Sequence, residues 1–200
     1  RLSLVGSEMC IRDRNDIERQ KRNIEAFIRS ARGGLVWVPA HNTPSKTVEI
    51  LRNYRIPTIT FLRQIKGADF DHVGIKNLEG TEIATDYLIG LGHTKIAYFG
   101  GDTNSDVRKA RVQGYELSLK KNGISWRVIW SSDDTKRSGV ERFHDLLSEH
   151  PEVTALVCNG DMVALGACLA LQSKGLQPGK DISVVGLSLI HISEPTRLRR

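Results

Sequence analysis

Six side chains in this sequence are the best placed to hold a small polar molecule: Arg63, Arg111, Asn159, Asp161, His41 and Asp134. A guanidinium presents a planar fork of donors, and a carboxylate presents two acceptors. Together they match neighbouring hydroxyls on a sugar or similar polyol. Trp37, Trp126 and Trp130 could supply an apolar wall by type, although core packing explains tryptophans equally well. Arg111 has a salt bridge as its structural alternative, and Asp161 a helix cap. Covalent catalysis is not indicated. His93 sits in a Leu-Gly-His turn with no carboxylate or nucleophile at triad-like spacing, so a structural hydrogen bond is its expected role. The chain carries no Gly-x-Ser-x-Gly, His-Glu-x-x-His or Walker-type loop. Gly179-Lys180 lacks the upstream glycine and the hydroxyl residue of a phosphate loop, and Asp133-Asp134 lacks further ligands for a metal. The chemistry anticipated is binding, with no enzyme activity, cofactor or metal.

The elements that must position these groups alternate between two periods. Helix-like stretches place apolar residues three, four and seven apart. They are marked by Ile17, Ile24, Phe27 and Ile28; by Ile83, Ala84, Tyr87, Leu88 and Leu91 on a helix from Asn77; by Val107–Lys121; by Val140, Phe143, Leu146 and Leu147; and by Ala164, Leu165, Cys168, Leu169 and Gln172, closed by Gly175. Thr43-Pro44 is read as an N-cap followed by proline at the first helical position. Between them lie short β-branched and aromatic runs: Leu35–Val38, Thr58–Leu62, His72–Ile75, Ile96–Phe99, Val128–Trp130, Ala155–Cys158 and Ile182–Val185. Most are continuously apolar, as strands buried on both faces are. Strands alternating with helices predict parallel α/β sheets. Ligands in such sheets bind beyond the carboxyl ends of the strands, and the loops there carry the six candidates. Gly100-Gly101-Asp102 is the candidate hinge between two lobes, with a simple tight turn as the alternative.

The two ends read differently from the middle. DNA encoding Val5–Asp13 has a reverse complement that, in another frame, encodes Ser188–Thr196. Both tails resemble a translated sequencing-library adapter. Residues 1–14 and 187–200 are therefore expected to lie outside the fold. The formal net charge is +6, from 29 basic and 23 acidic residues. Setting the tails aside removes six basic and three acidic residues and leaves +3. That is no argument for nucleic-acid binding by this segment. Of three cysteines, Cys10 falls in a tail. Cys158 and Cys168 sit in apolar surroundings without disulfide or metal spacing, and no apolar run is long enough for a membrane span.

Five motifs in order carry a family resemblance. They are Ala84-Thr-Asp-Tyr-Leu-Ile-Gly-Leu-Gly-His-Thr-Lys-Ile-Ala97, Phe99-Gly-Gly101, Ala110-Arg-Val-Gln-Gly-Tyr115, Ala155-Leu-Val-Cys-Asn-Gly-Asp-Met-Val-Ala-Leu-Gly166 and Asp181-Ile-Ser-Val-Val-Gly186. This set resembles the effector-binding core of the lactose-repressor-type (LacI/GalR) transcription regulators, over about residues 15–186. The resemblance implies a type I periplasmic-binding-protein fold of two doubly wound parallel lobes. They are expected to be incomplete here, with residues 15–100 as a partial N-lobe and 101–186 as a partial C-lobe. It also implies a sugar-like effector bound between the lobes, a homodimer in the intact cytoplasmic protein, and DNA contacts made only by a helix-turn-helix domain outside these residues. The helix from Asn77 to Leu91 is a candidate for part of the dimer contact. Arg111 is similar to the family's ligand-gripping arginine, Asp161 to the aspartate of its Asn-Asp pattern, and Arg63 to an arginine after the second strand. Gly160 stands where the family has asparagine, Leu62 where many members have aspartate, and Lys76 in place of another aspartate. These departures bear on effector identity. The alternative reading is a solute-binding protein serving a transporter, which shares fold and pocket.

Overall fold

Residues 9–12, 16–30 and 33–187 are described by the computed structural model, with side chains from Asp16 onward. They form two compact units, dividing between Ile75 and Lys76. The division falls ahead of Gly100-Gly101. That pair lies inside the second unit, where the Gly100 amide donates to the Trp130 carbonyl at 2.7 Å. Its positive φ angles, 102° and 82°, are those of a tight turn that only glycine makes without strain.

The first unit is a parallel sheet in the order β1 (Met9–Arg12), β2 (Leu35–Val38), β3 (Thr58–Phe61), β4 (Asp71–Val73). Strand β1 comes from the tail expected to lie outside the fold and pairs Met9 through Arg12 with Leu35 through Val38. A short apolar run laid along the open edge of β2 satisfies backbone groups that would otherwise be bare. The remaining residues of that tail, and Ser188–Thr196 of the other, lie outside the described residues. Helix α1 (Ile17–Arg29) starts at Asp16, whose carboxylate accepts from the Arg19 amide at 2.9 Å. Helix α2 (Ser45–Asn53) starts after Pro44. Thr43 is therefore not its N-cap; its hydroxyl turns back to the Ala40 carbonyl at 2.7 Å. Ile24 and Phe27 of α1 and Leu51 of α2 pack on Leu35 and Trp37, so both helices cover the same face of the sheet.

The second unit winds both ways. Helix α3 (Asn77–Gly90) opens it, and β5 (Ile96–Phe99), α4 (Asp106–Lys121), β6 (Val128–Trp130), α5 (Lys136–Glu149), β7 (Ala155–Cys158), α6 (Asp161–Ser173) and β8 (Ser183–Val185) follow. The sheet order is β6-β5-β7-β8, all parallel. Helices α3 and α4 pack on one face through Leu88, Tyr115 and Leu119. Helices α5 and α6 pack on the other through Phe143, Leu146, Ala167 and Leu171. Strands β5 and β7 are buried along their whole length, as their continuously apolar sequences predict.

Both helix pairs approach closely through small residues. A side chain at Gly114 would run into the Leu78 carbonyl. One at Gly166 would stand 2.5 Å from the Lys136 carbonyl and 2.8 Å from the Gly139 Cα. On α3 the buried residues are Thr81, Ala84, Thr85 and Leu88. Ile83, Tyr87 and Leu91, expected on the same apolar face, are exposed instead, at 63, 62 and 58 %. The threonines can be buried because each hydroxyl donates to a carbonyl one turn back. His93 has the structural role expected of it: its two ring nitrogens lie 3.0 Å from the hydroxyls of Thr154 and Ser183, tying the turn before β5 to the starts of β7 and β8.

Candidate ligand-binding site

The strand order of the second unit reverses at β5, with β6 on one side and β7 on the other. Loops leaving the carboxyl ends of such strands part in opposite directions and leave a crevice. Gly100-Gly101 follows β5, Ser131–Asp134 follows β6 and Asn159-Gly160 follows β7. Asn159, 4 % exposed, organises this edge. Its Oδ1 accepts from the Tyr98 hydroxyl at 2.6 Å, and its Nδ2 donates to both carboxylate oxygens of Asp134 at 2.8 Å. The amide orientation is fixed chemically, because a carboxylate has no proton to give and must face the NH2 group.

Arg111 comes from α4 and is 7 % exposed. Its Nε donates to Asn77 Oδ1 at 2.8 Å, and one terminal amino group donates to the main-chain carbonyl of Asn159. Burial lowers its pKa from the ordinary arginine value, while the charges of Asp134 and Asp161 oppose that shift. Among the described residues Arg111 makes no ion pair within 4.0 Å, so the salt-bridge alternative does not describe it. Asp161 is the first residue of α6. The N-cap is Gly160, without a side-chain cap. A side chain on Gly186 would meet Asp161 Oδ1 at 2.7 Å, which places the carboxylate beside the end of β8.

Arg111, Asn159, Asp134 and Asp161 thus gather at one edge of the second unit. Arg63 and His41 belong to the first unit. There Arg63 donates to the Pro39 carbonyl at 3.0 Å, at the base of the Pro39–Thr43 turn that carries His41.

Four residues that support these groups were not among the six candidates. Tyr98 lies inside an apolar strand run, where only its hydroxyl hints at a role, and burial raises its pKa well above the ordinary tyrosine value. Arg108 lies one helical turn before Arg111, and Asn77 opens α3. Gln20, 1 % exposed, accepts from the Ala40 amide at 2.7 Å and bonds the Thr43 hydroxyl at 3.2 Å, holding the His41 turn. Its signal was legible: Gln20 occupies a polar position on the line Ile17, Ile24, Phe27, three residues after the first and four before the second. Of the tryptophans, Trp37 is fully buried core, and Trp126 and Trp130 pack partly buried around His150 on the β6 side. Among the described residues there is no cluster of three metal-ligating side chains, and no helix long and apolar enough to cross a membrane.

Two parallel α/β units carrying polar groups at the carboxyl edges of their sheets define the class of the periplasmic-binding-protein type. The chain belongs to the family described as periplasmic binding proteins and sugar binding domain of LacI family, whose profile matches residues 10–196. That match reaches into both adapter-like tails. Among curated relatives, the HTH-type transcriptional repressor PurR of Haemophilus influenzae is 27% identical over 189 residues, covering 94% of this chain and 56% of the relative. The chain spans about half the length of the curated relatives it matches. The transcription regulator CcpA of Lactococcus lactis superposes with a TM-score of 0.77 at 23% identity, over 87% of this chain and 64% of that one. A transcriptional regulator CelR–cellobiose complex superposes with a TM-score of 0.74 at 26% identity, over 86% of this chain and 53% of that one.

Proposed function

We propose that this chain is the effector-sensing part of a LacI-type DNA-binding transcription regulator. It binds a sugar-like small molecule at the carboxyl edges of its sheets and acts as a binding module rather than an enzyme. The observation that carries the reading is the Arg111–Asn159–Asp134 constellation at the reversal point of the second sheet. A buried guanidinium held from two sides and a carboxylate held by an amide are preorganised donors and acceptors, so little order remains to be gained on binding. Asp161 beside β8 adds a second carboxylate to this edge, and Arg63 and His41 lie at the carboxyl edge of the first unit's own sheet.

In the intact cytoplasmic protein, a helix-turn-helix segment outside these residues contacts the operator. Effector binding shifts the balance between two conformations and thereby changes DNA affinity. The protein works as a homodimer, for which the exposed stripe Ile83, Tyr87 and Leu91 on α3 is an apolar contact strip of suitable spacing. The names of the curated relatives, which are repressors, support a regulator over a transporter's solute-binding protein.

A thermal-shift screen of neutral sugars, polyols, sugar phosphates and nucleobases tests the reading. At least one class is expected to raise the melting temperature. Arg111→Ala is expected to abolish that rise. An unchanged rise in the variant removes Arg111 from the site.

A further inference from the structure

Arg108 is the most unusual charged group in the second unit. It is 8 % exposed, as deeply buried as Arg111, and the two lie three residues apart on the first turns of α4. Its Nε donates to the Gly100 carbonyl at 3.0 Å, and its guanidinium lies 5.8 Å over the Tyr98 ring. The loop makes room for it: a side chain at Gly101 would stand 2.7 Å from Arg108 Cδ. Among the described residues no carboxylate lies within 4.0 Å of either guanidinium. Among the described residues the two terminal amino groups of Arg108 meet no acceptor, yet they are not among the nitrogens sealed from solvent. Buried charges are ordinarily paired, because an uncompensated one carries a large desolvation cost. Asp134, a carboxylate of the same edge, is held by the Asn159 amide. Two buried guanidinium groups thus stand at one edge with no carboxylate within 4.0 Å among the described residues, and the terminal amino groups of Arg108 keep donors open to solvent for an anionic ligand.

Resting on the effector-binding reading above, we infer that Arg108 and Arg111 together form an anion subsite, and that the effector is a polyhydroxyl compound bearing a phosphate or carboxylate group. Arg108 makes two parallel N–H···O bonds to the anionic group, while Arg111, two of whose nitrogens are already engaged by Asn77 and Asn159, adds its remaining amino group. Asp134 and Asp161 then take the hydroxyls of the same molecule. Arg108 is the residue that selects a charged effector over a neutral one.

Isothermal titration of the full chain with glucose, glucose 6-phosphate, glucuronate and inorganic phosphate tests this. Either charged sugar is expected to bind roughly tenfold or more tightly than glucose, the usual gain of a charge-assisted over a neutral hydrogen bond. That preference is expected to weaken with added salt. Whichever of the two is preferred identifies the anionic group. Arg108→Met keeps the stem and loses the charge; it is expected to bring the ratio of charged to neutral affinity to about one, and Arg108→Lys to restore part of it. The salt dependence of the unmodified chain is read independently of whether either variant folds. Equal affinities for glucose and both charged sugars overturn the anion subsite and leave the effector-binding reading standing. No binding of any of the four at millimolar concentration overturns both.

Discussion

Replacing Asn159 with aspartate changes one NH2 group to an oxygen and almost nothing in shape, so it isolates the electrostatics of the site. The new carboxylate oxygen would face those of Asp134 at the present 2.8 Å. At that separation two unit charges repel by about 6 kcal/mol at an effective dielectric of 20 and by about 1.5 kcal/mol in bulk water. Asp134 is exposed and Asn159 buried, so the value lies between these limits. Taking up one proton at pH 7 caps the penalty at about 4 kcal/mol, the cost of protonating an ordinary carboxyl three units above its pKa. Loss of the amide's bonds to a charged acceptor adds about 1.5–3 kcal/mol while both groups are ionised. Attraction to the neighbouring Arg108 and Arg111 guanidinium groups offsets part of this, and Asn159→Asp is expected to lower the unfolding free energy by roughly 1–3 kcal/mol near pH 7. The shared proton raises the pair's folded pKa above the unfolded value. Stability is then fully present below the unfolded pKa near 4 and is lost as pH rises through the folded pKa. On acidification from pH 7.5 to 5 the deficit should shrink by up to about 1.4 kcal/mol per pH unit. Urea unfolding of both chains at pH 7.5, 6.5, 5.5 and 5 reads this directly, with tryptophan fluorescence as probe. A deficit that grows towards acid pH, or a variant as stable as the parent throughout, would refute the bond between Asn159 and Asp134.

Three further outcomes follow from the packing. Gly166→Ala improves intrinsic helix propensity but forces Cβ against the Lys136 carbonyl and Gly139; it is expected to destabilise by roughly 1–3 kcal/mol in urea unfolding, and a more stable variant would contradict the close α5–α6 contact. Gln20→Leu leaves the Ala40 amide without its acceptor. It should cost about 1–3 kcal/mol and speed hydrogen exchange at Ala40, and unchanged exchange there would remove Gln20 from the turn. Burial pushes the Tyr115 hydroxyl up to about 12 and that of Tyr98 higher still. Folded pKa values raised in this way contribute stability that is present below the unfolded value near 10 and is lost as pH rises through the folded values. The urea midpoint should therefore be insensitive to these two groups up to about pH 9 and fall above pH 10, and Tyr115→Phe should flatten that fall.

Much of the fold could be read from residue order. The runs at Leu35–Val38, Ile96–Phe99, Val128–Trp130 and Ala155–Cys158 coincide with β2, β5, β6 and β7, because short, continuously apolar, β-branched segments between glycines and caps leave few alternatives. The rule that ligands sit beyond the carboxyl ends of parallel strands assigned His41, Arg63, Arg111, Asp134, Asn159 and Asp161 to strand-end loops from sequence alone, and the structure gathers four of them, Arg111, Asn159, Asp134 and Asp161, at one edge of the second unit. Residue order did not settle which side of a helix faces the sheet when two helices also pack on each other. On α3, Ile83, Tyr87 and Leu91 look like core by type, yet Thr81, Ala84 and Thr85 take the buried positions. Gly114 on α4 lets the α3 backbone at Leu78 and Glu82 approach closely, which sets the side of α3 that turns inward. Nor did it place the unit boundary: α3 belongs with β5 and α4 rather than with the strands before it.

The sequence by itself determined the alternation of strands and helices, the loops that carry polar groups and the family to which they point, because local periodicity and turn chemistry act over a few residues. Only the tertiary structure decided that Asn159 serves Tyr98 and Asp134, that Arg111 rests on Asn77, and that Arg108 is buried with no carboxylate of the described residues within 4.0 Å. Those pairings join residues tens of positions apart. Their energies depend on which side chains lose water together when the sheet closes, a quantity that spacing along the chain does not contain.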